Sequence, residues 1–253
     1  MAVSPGQGYR RTYGTGAVTA AENFVATVPS NWAADSSVIG VVQVHGYGDS
    51  AIVGWDDTGH FGSTKTPTRL AQAGYPVVAC DLGGTSTWGY APIVSRIDDA
   101  IAYLQGTLKA KTGKVILMGT SMGGLNSLIY AKTKPSNVAG VILIAPVNDV
   151  TWTVANNPSL ATAINAVYPG GWSEATYGAS YNPITIATAG GYAGMPMLIW
   201  QGISDSTVPL TTTQALVAKI PTATLIQLPG DHSETTWSEV DPGTCMNFIA
   251  ANS

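Results

Sequence analysis

A parallel sheet with helices packed on both of its faces is the fold class this sequence predicts. Three observations predict it. Short apolar, β-branched runs recur along the chain, and segments with helical apolar spacing separate them. In addition, residues 114–124 pass from such a run through Gly-x-Ser-x-Gly into a helical pattern. Strands alternating with helices of this length form βαβ units with right-handed crossovers, hence a mostly parallel sheet. A chain of 253 residues is long enough to bury a large core, and residues 1–253 read as one domain.

The elements follow in order. Residues 9–13 and 22–28 read as short strands joined across Gly14 and Gly16, an opening hairpin. Residues 38–45 are almost continuously apolar, as in a strand covered on both faces. The loop Gly46-Tyr-Gly-Asp-Ser50 comes next. A helix around residues 66–73 has Pro67 in its first turn and Gly74 past its end. Residues 76–81 give another buried strand. Residues 92–108 read as a helix with Ile93, Ile97, Ile101 and Leu104 on one face. Further strands are expected at 138–145, 197–200 and 224–228, with helices at 212–220 and 241–251. Residues 148–195 break the alternation. They are rich in aromatic residues, Asn and Gly, have few periodic apolar positions, and are expected to form an irregular cap or lid over a site.

Composition excludes several functions. Charged residues make up 10% of the chain and the formal net charge is -4, so there is no basic footprint for nucleic acid. The longest apolar run, residues 138–147, is half of what a bilayer span requires. The first residues lack the charged and apolar regions of a secretory signal. The protein is expected to be soluble, either cytoplasmic or outside the cell (virion-associated included) by a signal-independent route. Three scattered histidines and two distant cysteines give no metal-ligand spacing. Cys80 and Cys245 are expected to be buried thiols.

The chemistry centres on Ser121. A serine at a strand–turn–helix bend sits in strained backbone with its hydroxyl projecting away from the sheet, and the helix start behind it favours negative charge. Gly119 and Gly123 let strand and helix pass closely there. A serine hydroxyl needs a base, itself oriented by a third group. His232 follows the last strand, at the sheet edge where ligands collect, and is read as that base. His60 reads as an ordinary loop histidine. Asp205 and Asp149 both follow strands and are candidates for the orienting carboxylate, while Asp231 reads as a loop-stabilising residue. The oxyanion is assigned to the backbone amides of Met122 and Tyr47, the latter in the glycine loop after residues 38–45. His45 and Gly46, with Trp152 and Trp172 from the insertion, are expected to contact substrate, His45 also bracing its loop.

Four markers, His45-Gly-Tyr-Gly, Gly119-Thr-Ser-Met-Gly, Gly202-Ile-Ser-Asp205 and Gly230-Asp-His232, together resemble the α/β-hydrolase superfamily from about residue 38 to the C-terminus. The chain order Ser121, Asp205, His232 is the one that superfamily uses and favours Asp205 over Asp149. The segment from Leu70 to Asp81 is similar to that of its lipases and esterases. The resemblance implies an eight-stranded, mostly parallel sheet and acyl transfer to water through a serine ester, without a cofactor. The loop Asp81-Leu-Gly-Gly-Thr-Ser-Thr-Trp-Gly departs from the commoner Asp-x-x-Gly-x-Gly. It resembles hydrolases of actinobacterial phages, which would imply an envelope ester as substrate and a virion-borne enzyme. The function expected is a serine carboxylic ester hydrolase of esterase or lipase type, acting on small-molecule or lipid esters with apolar acyl groups. Peptidase and thioesterase chemistry would use the same residues. From another class, a non-catalytic binding component on a hydrolase fold is the alternative.

Overall fold

Alternate side chains of β5 (Val115–Thr120) enter two different cores: Val115 and Leu117 pack on one side of the sheet, Ile116 and Met118 on the other. This is why the strand is apolar at consecutive positions, and it requires a covered sheet on both faces. The computed structural model describes residues 9–15, 23–33, 37–51, 66–90 and 92–253. The expected turn at Gly16 and the loop histidine His60 lie outside these residues.

Among the described residues the sheet has eight strands, in the order β1-β2-β4-β3-β5-β6-β7-β8. Strands β1 (Tyr9–Thr15) and β2 (Asn23–Pro29) form an antiparallel pair, and β2 runs antiparallel to β4 (Val77–Cys80). From β4 onward the sheet is parallel, through β3 (Val41–Val44), β5, β6 (Val138–Ile144), β7 (Met197–Gly202) and β8 (Ala223–Leu228). Order reverses between β4-β3 and β5-β6, so the C-terminal ends of β3 and β5 open onto the crevice where such sheets hold ligands.

Helices α1 (Thr66–Gln72), α2 (Ile93–Ala102) and α3 (Met122–Thr133) follow the expected pattern. The segment expected as one helix over 92–108 changes at Tyr103 into a π-helical turn, Tyr103–Thr107. No disulfide joins the buried Cys80 and Cys245. Among the described residues no helix is long and apolar enough to cross a membrane.

The insertion corrects the sequence reading: it is mostly helical. It carries α4 (Val150–Asn156), α5 (Pro158–Val167), α6 (Ala179–Tyr181) and α7 (Pro183–Thr188), with a π-helical turn at Glu174–Gly178. Asp149 caps α4 by accepting the Trp152 amide at 2.9 Å, and Asn157 caps α5 by accepting the Leu160 amide at 3.3 Å. Pro158 and Pro183 lie in the first turns, where a missing N–H costs nothing. The helices are short, and much of their burial is supplied by rings. Tyr90, Tyr168, Trp172, Tyr177 and Tyr181 form one cluster with ring centroids 4.8 to 6.4 Å apart. Only α5 carries an aliphatic stripe at helical spacing, Leu160, Ala163, Ile164 and Val167, and the other helices of the insertion are too short for a periodicity argument.

The remaining α-helices among the described residues are α8 (Leu210–Val217), the short α9 (Glu234–Trp237), which the sequence did not indicate, and α10 (Pro242–Ala251).

Candidate active site

Ser121 stands between the end of β5 and the first residue of α3, with φ 54° and ψ −118°. Positive φ is uncommon for a serine. Its backbone is held there by bonds to the next strand: Ser121 N donates to Ile144 O at 2.9 Å, and Ser121 O accepts from Val147 N at 3.0 Å. The glycines around it are required by close approach. A Cβ on Gly119 would lie 2.3 Å from Gly123 O, and one on Gly123 would lie 2.1 Å from Val44 O. Strand β3, strand β5 and helix α3 can meet at this corner only without those side chains.

His232 sits in the loop between β8 and α9. Its Nε2 lies 3.0 Å from Ser121 Oγ and its Nδ1 lies 2.7 Å from Asp205 Oδ2. Asp205, in the turn after β7, is fully enclosed at its carboxylate. Its Oδ1 accepts the amides of Thr207 at 2.9 Å and Val208 at 2.7 Å, while Oδ2 accepts Gln201 Nε2 at 2.9 Å beside the histidine. Both oxygens therefore act as acceptors, so the hydrogen between ring and carboxylate belongs on Nδ1, leaving Nε2 with a lone pair toward Ser121. The Trp237 indole packs against the imidazole in a T-shaped contact at 87° with centroids 5.2 Å apart, which helps to fix the ring.

Asp149, the other carboxylate candidate, is occupied as the cap of α4 and accepts Asn182 Nδ2 at 3.4 Å. Asp231 is exposed and accepts Thr236 Oγ1 at 3.5 Å; a hydrogen bond from Ser233 is the main reason its carboxyl sits below the ordinary range.

The amide of Met122 is the first of α3 and has no intrahelical acceptor. Among the described residues no backbone acceptor meets the amide of Tyr47 either, whereas its neighbours Gly48 N and Asp49 N are bonded to Thr85 O and Gly46 O. Two uncommitted donors thus flank Ser121 at the ends of β3 and β5.

A cavity of about 380 Å³ opens beside these groups, lined by Gly46, Tyr47, Ser121, Leu160, Thr207, His232, Ser233, Glu234 and Trp237. Of the four residues expected to contact substrate, Gly46 is in this wall and three are not. His45 is 2% exposed, with Nδ1 turned to the carbonyl of Gly46 at 2.8 Å, so it braces its own loop. Burial lowers its pKa, because desolvation disfavours the charged ring. Trp172 is held in the aromatic cluster, its indole N–H donating to Thr151 Oγ1 at 3.0 Å. Trp152 lies on α4, whereas α5 is the insertion helix that reaches the cavity and brings Leu160.

Sequence reasoning missed Gln201, a buried amide in the otherwise apolar β7. Gln201 Oε1 accepts Thr213 Oγ1 at 2.9 Å, and Thr213 Oγ1 accepts Asn148 Nδ2 at 2.8 Å. A hydrogen-bonded line therefore runs from Asn148 through Thr213, Gln201 and Asp205 to His232 and Ser121. A lone amide inside a strand run is the signal that marks it.

Residues 40–175 match the family model of a hydrolase described as serine aminopeptidase, S33. A comparison with curated proteins gives no match. Among solved structures, the chain is similar to an S-formylglutathione hydrolase from Agrobacterium tumefaciens, with TM-score 0.69 at 16% identity, covering 99% of this chain and 97% of that one. It is also similar to an S-formylglutathione hydrolase from Staphylococcus aureus, with TM-score 0.71 at 14% identity over 96% and 99%. The esterase PF2001 of Pyrococcus furiosus matches with TM-score 0.65 at 15% identity over 99% and 98%. At these identities the likeness is one of fold.

Proposed function

The chain belongs to the serine aminopeptidase S33 family of α/β-hydrolases, and on that premise we propose that it is a carboxylic ester hydrolase working through an acyl-enzyme at Ser121. The observation that carries this reading is the continuous contact Ser121 Oγ, His232 Nε2, His232 Nδ1, Asp205 Oδ2 in the wall of a cavity. Ser121 Oγ attacks the ester carbonyl carbon while His232 Nε2 takes its proton. The former carbonyl oxygen becomes an oxyanion and is met by the amides of Tyr47 and Met122. The bond to the alcohol oxygen breaks, and His232 returns the proton to that oxygen. Water then attacks the acyl-serine in the same way, releasing a carboxylic acid and restoring Ser121. Asp205 fixes the tautomer and stabilises the imidazolium that forms.

Residues 148–195 are the cap of the domain in this reading, which rests on Leu160 reaching the cavity that contains Ser121. Leu160, Tyr47 and Trp237 favour an apolar acyl group, and the described residues of the wall include no lysine or arginine to attract an anionic substrate. Glu234 in the same wall favours a second reading, an aminopeptidase that would hold a substrate ammonium group there.

Fluorophosphonate labelling, followed by p-nitrophenyl esters from acetate to palmitate and aminoacyl p-nitroanilides, tests these readings. The expected result is labelling of Ser121 and ester turnover in the wild type, both lost in Ser121→Ala. Turnover of anilides alone makes it an aminopeptidase. Neither labelling nor turnover leaves a binding component on a hydrolase fold.

A further inference from the structure

The loop Gly46-Tyr47-Gly48 has little to fix it from within. Glycines flank Tyr47, and Gly48 has φ +83°, so the direction of the Tyr47 amide depends on contacts from elsewhere. His45 Nδ1 and Asp49 N meet Gly46 O, and further contacts come from the loop after β4. Thr85 O accepts Gly48 N at 2.8 Å, and the ring of Trp88 lies against the ring of Tyr47 with centroids 5.1 Å apart. The same loop touches the other proposed oxyanion donor, since Thr87 N points at Met122 Sδ at 3.4 Å. Thr87 is in turn held by Asn126 of α3. Asn126 Nδ2 donates to Thr87 Oγ1 at 3.0 Å and Asn126 Oδ1 accepts Gly89 N at 2.6 Å.

Trp88 is the unusual member. It has φ 47°, a conformation a bulky side chain adopts only when its surroundings over-determine it, and such residues cluster at functional sites. Here two of its polar groups are tied. Its indole N–H donates to Ser86 Oγ at 2.9 Å, and its carbonyl accepts Tyr168 OH from the insertion at 2.7 Å. The ring is fully buried, while the Tyr47 ring it backs is 42% exposed and lines the cavity.

We propose that Trp88 and Thr87 are positioning residues that hold the Tyr47 and Met122 amides at a fixed separation for the developing oxyanion. Because one loop touches both donor residues, displacing it spoils their spacing without touching Ser121, His232 or Asp205. This inference rests on the proposed hydrolase reaction and its oxyanion assignment.

The test compares Trp88→Phe, Trp88→Leu and Thr87→Val with the wild type. It uses kcat and KM on p-nitrophenyl butyrate, and inhibition by an alkyl trifluoromethyl ketone, whose adduct with a serine carries an oxyanion. Trp88→Leu should lower kcat about tenfold, part of what loss of a whole donor costs. KM should stay within about twofold, and ketone affinity should fall by the same factor as kcat. Trp88→Phe keeps a ring against Tyr47 and should restore most of kcat. Thr87→Val, nearly equal in volume, should give the same pattern at about threefold, and it decides the matter if Trp88→Leu does not fold. A rise in KM with kcat unchanged, or a loss of kcat without loss of ketone affinity, overturns the proposal, as does wild-type behaviour of both variants. A wild type that forms no ketone adduct overturns the hydrolase reading itself and this inference with it.

Discussion

Gln201 and Asp205 are joined by a buried hydrogen bond, Gln201 Nε2 to Asp205 Oδ2 at 2.9 Å, on the same oxygen that receives His232. The amide also donates to Val208 O at 2.8 Å, so it holds both the carboxylate and the turn that carries it. Gln201→Leu removes one charge-assisted bond of about 1.5 kcal/mol, and kcat for ester hydrolysis should fall by about tenfold with KM little changed. Steady-state kinetics on a short-chain p-nitrophenyl ester check this.

Asp205→Asn tests the carboxylate itself. An asparagine can keep its oxygen on the amides of Thr207 and Val208, but it then presents an N–H to His232 Nδ1. The imidazole must turn its lone pair to the amide and its hydrogen to Ser121, the wrong tautomer for a base. The kcat should drop by about four orders of magnitude. Circular dichroism should show an unchanged fold.

Gly123→Ala places a methyl group 2.1 Å from the carbonyl oxygen of Val44, a backbone atom inside the sheet. Strand β3 and helix α3 must part, which should destabilise the fold by more than about 3 kcal/mol. Gly106→Ala, where a Cβ meets nothing within 4 Å, is the control and should be neutral or slightly stabilising. Urea titrations of both variants decide it.

Glu174 gives the insertion a dependence on acid. Partial burial by itself would raise its carboxyl, but donation from Thr151 Oγ1 at 2.6 Å, Thr185 Oγ1 at 2.6 Å and Asn182 Nδ2 at 2.8 Å brings it below the ordinary glutamate value. A carboxyl depressed in the folded state contributes stability that is present above its unfolded pKa and is lost as pH falls through the folded one. The insertion should therefore loosen on the acid side of the glutamate range, read as faster pepsin cleavage within residues 148–195. Glu174→Gln should show a smaller change over the same interval.

Ser121 and His232, which lie 3.0 Å apart, could be proposed from sequence because their signals are local: glycines forced by close approach on one side, and a strand end followed by a histidine on the other. Asp205 needed the chain order, since Asp149 also follows a strand and only the fold reveals that it caps α4. Leu160 and Trp237 were beyond reach, because cavity walls come from residues far apart in the chain and apolar side chains carry no mark of which void they face. Trp172 misled for the opposite reason. An aromatic residue near a site satisfies its ring just as well against other rings, and here it does so against Tyr168 and Tyr177. The parallel sheet was legible because two-sided burial demands continuous apolar runs, whereas helices as short as those of the insertion leave little pattern to read.

The cluster of Tyr90, Tyr168, Trp172, Tyr177 and Tyr181 has an optical consequence. Four phenols lie within a few ångströms of each other and hand excitation to the Trp172 indole, 4.9 Å from Tyr168. Tyr90 reaches this group from outside the insertion, so a separation of the two moves one phenol away and leaves the other three beside the indole. The molecule thus carries an unlabelled optical reporter of how the insertion is seated, in which the change on undocking comes from Tyr90.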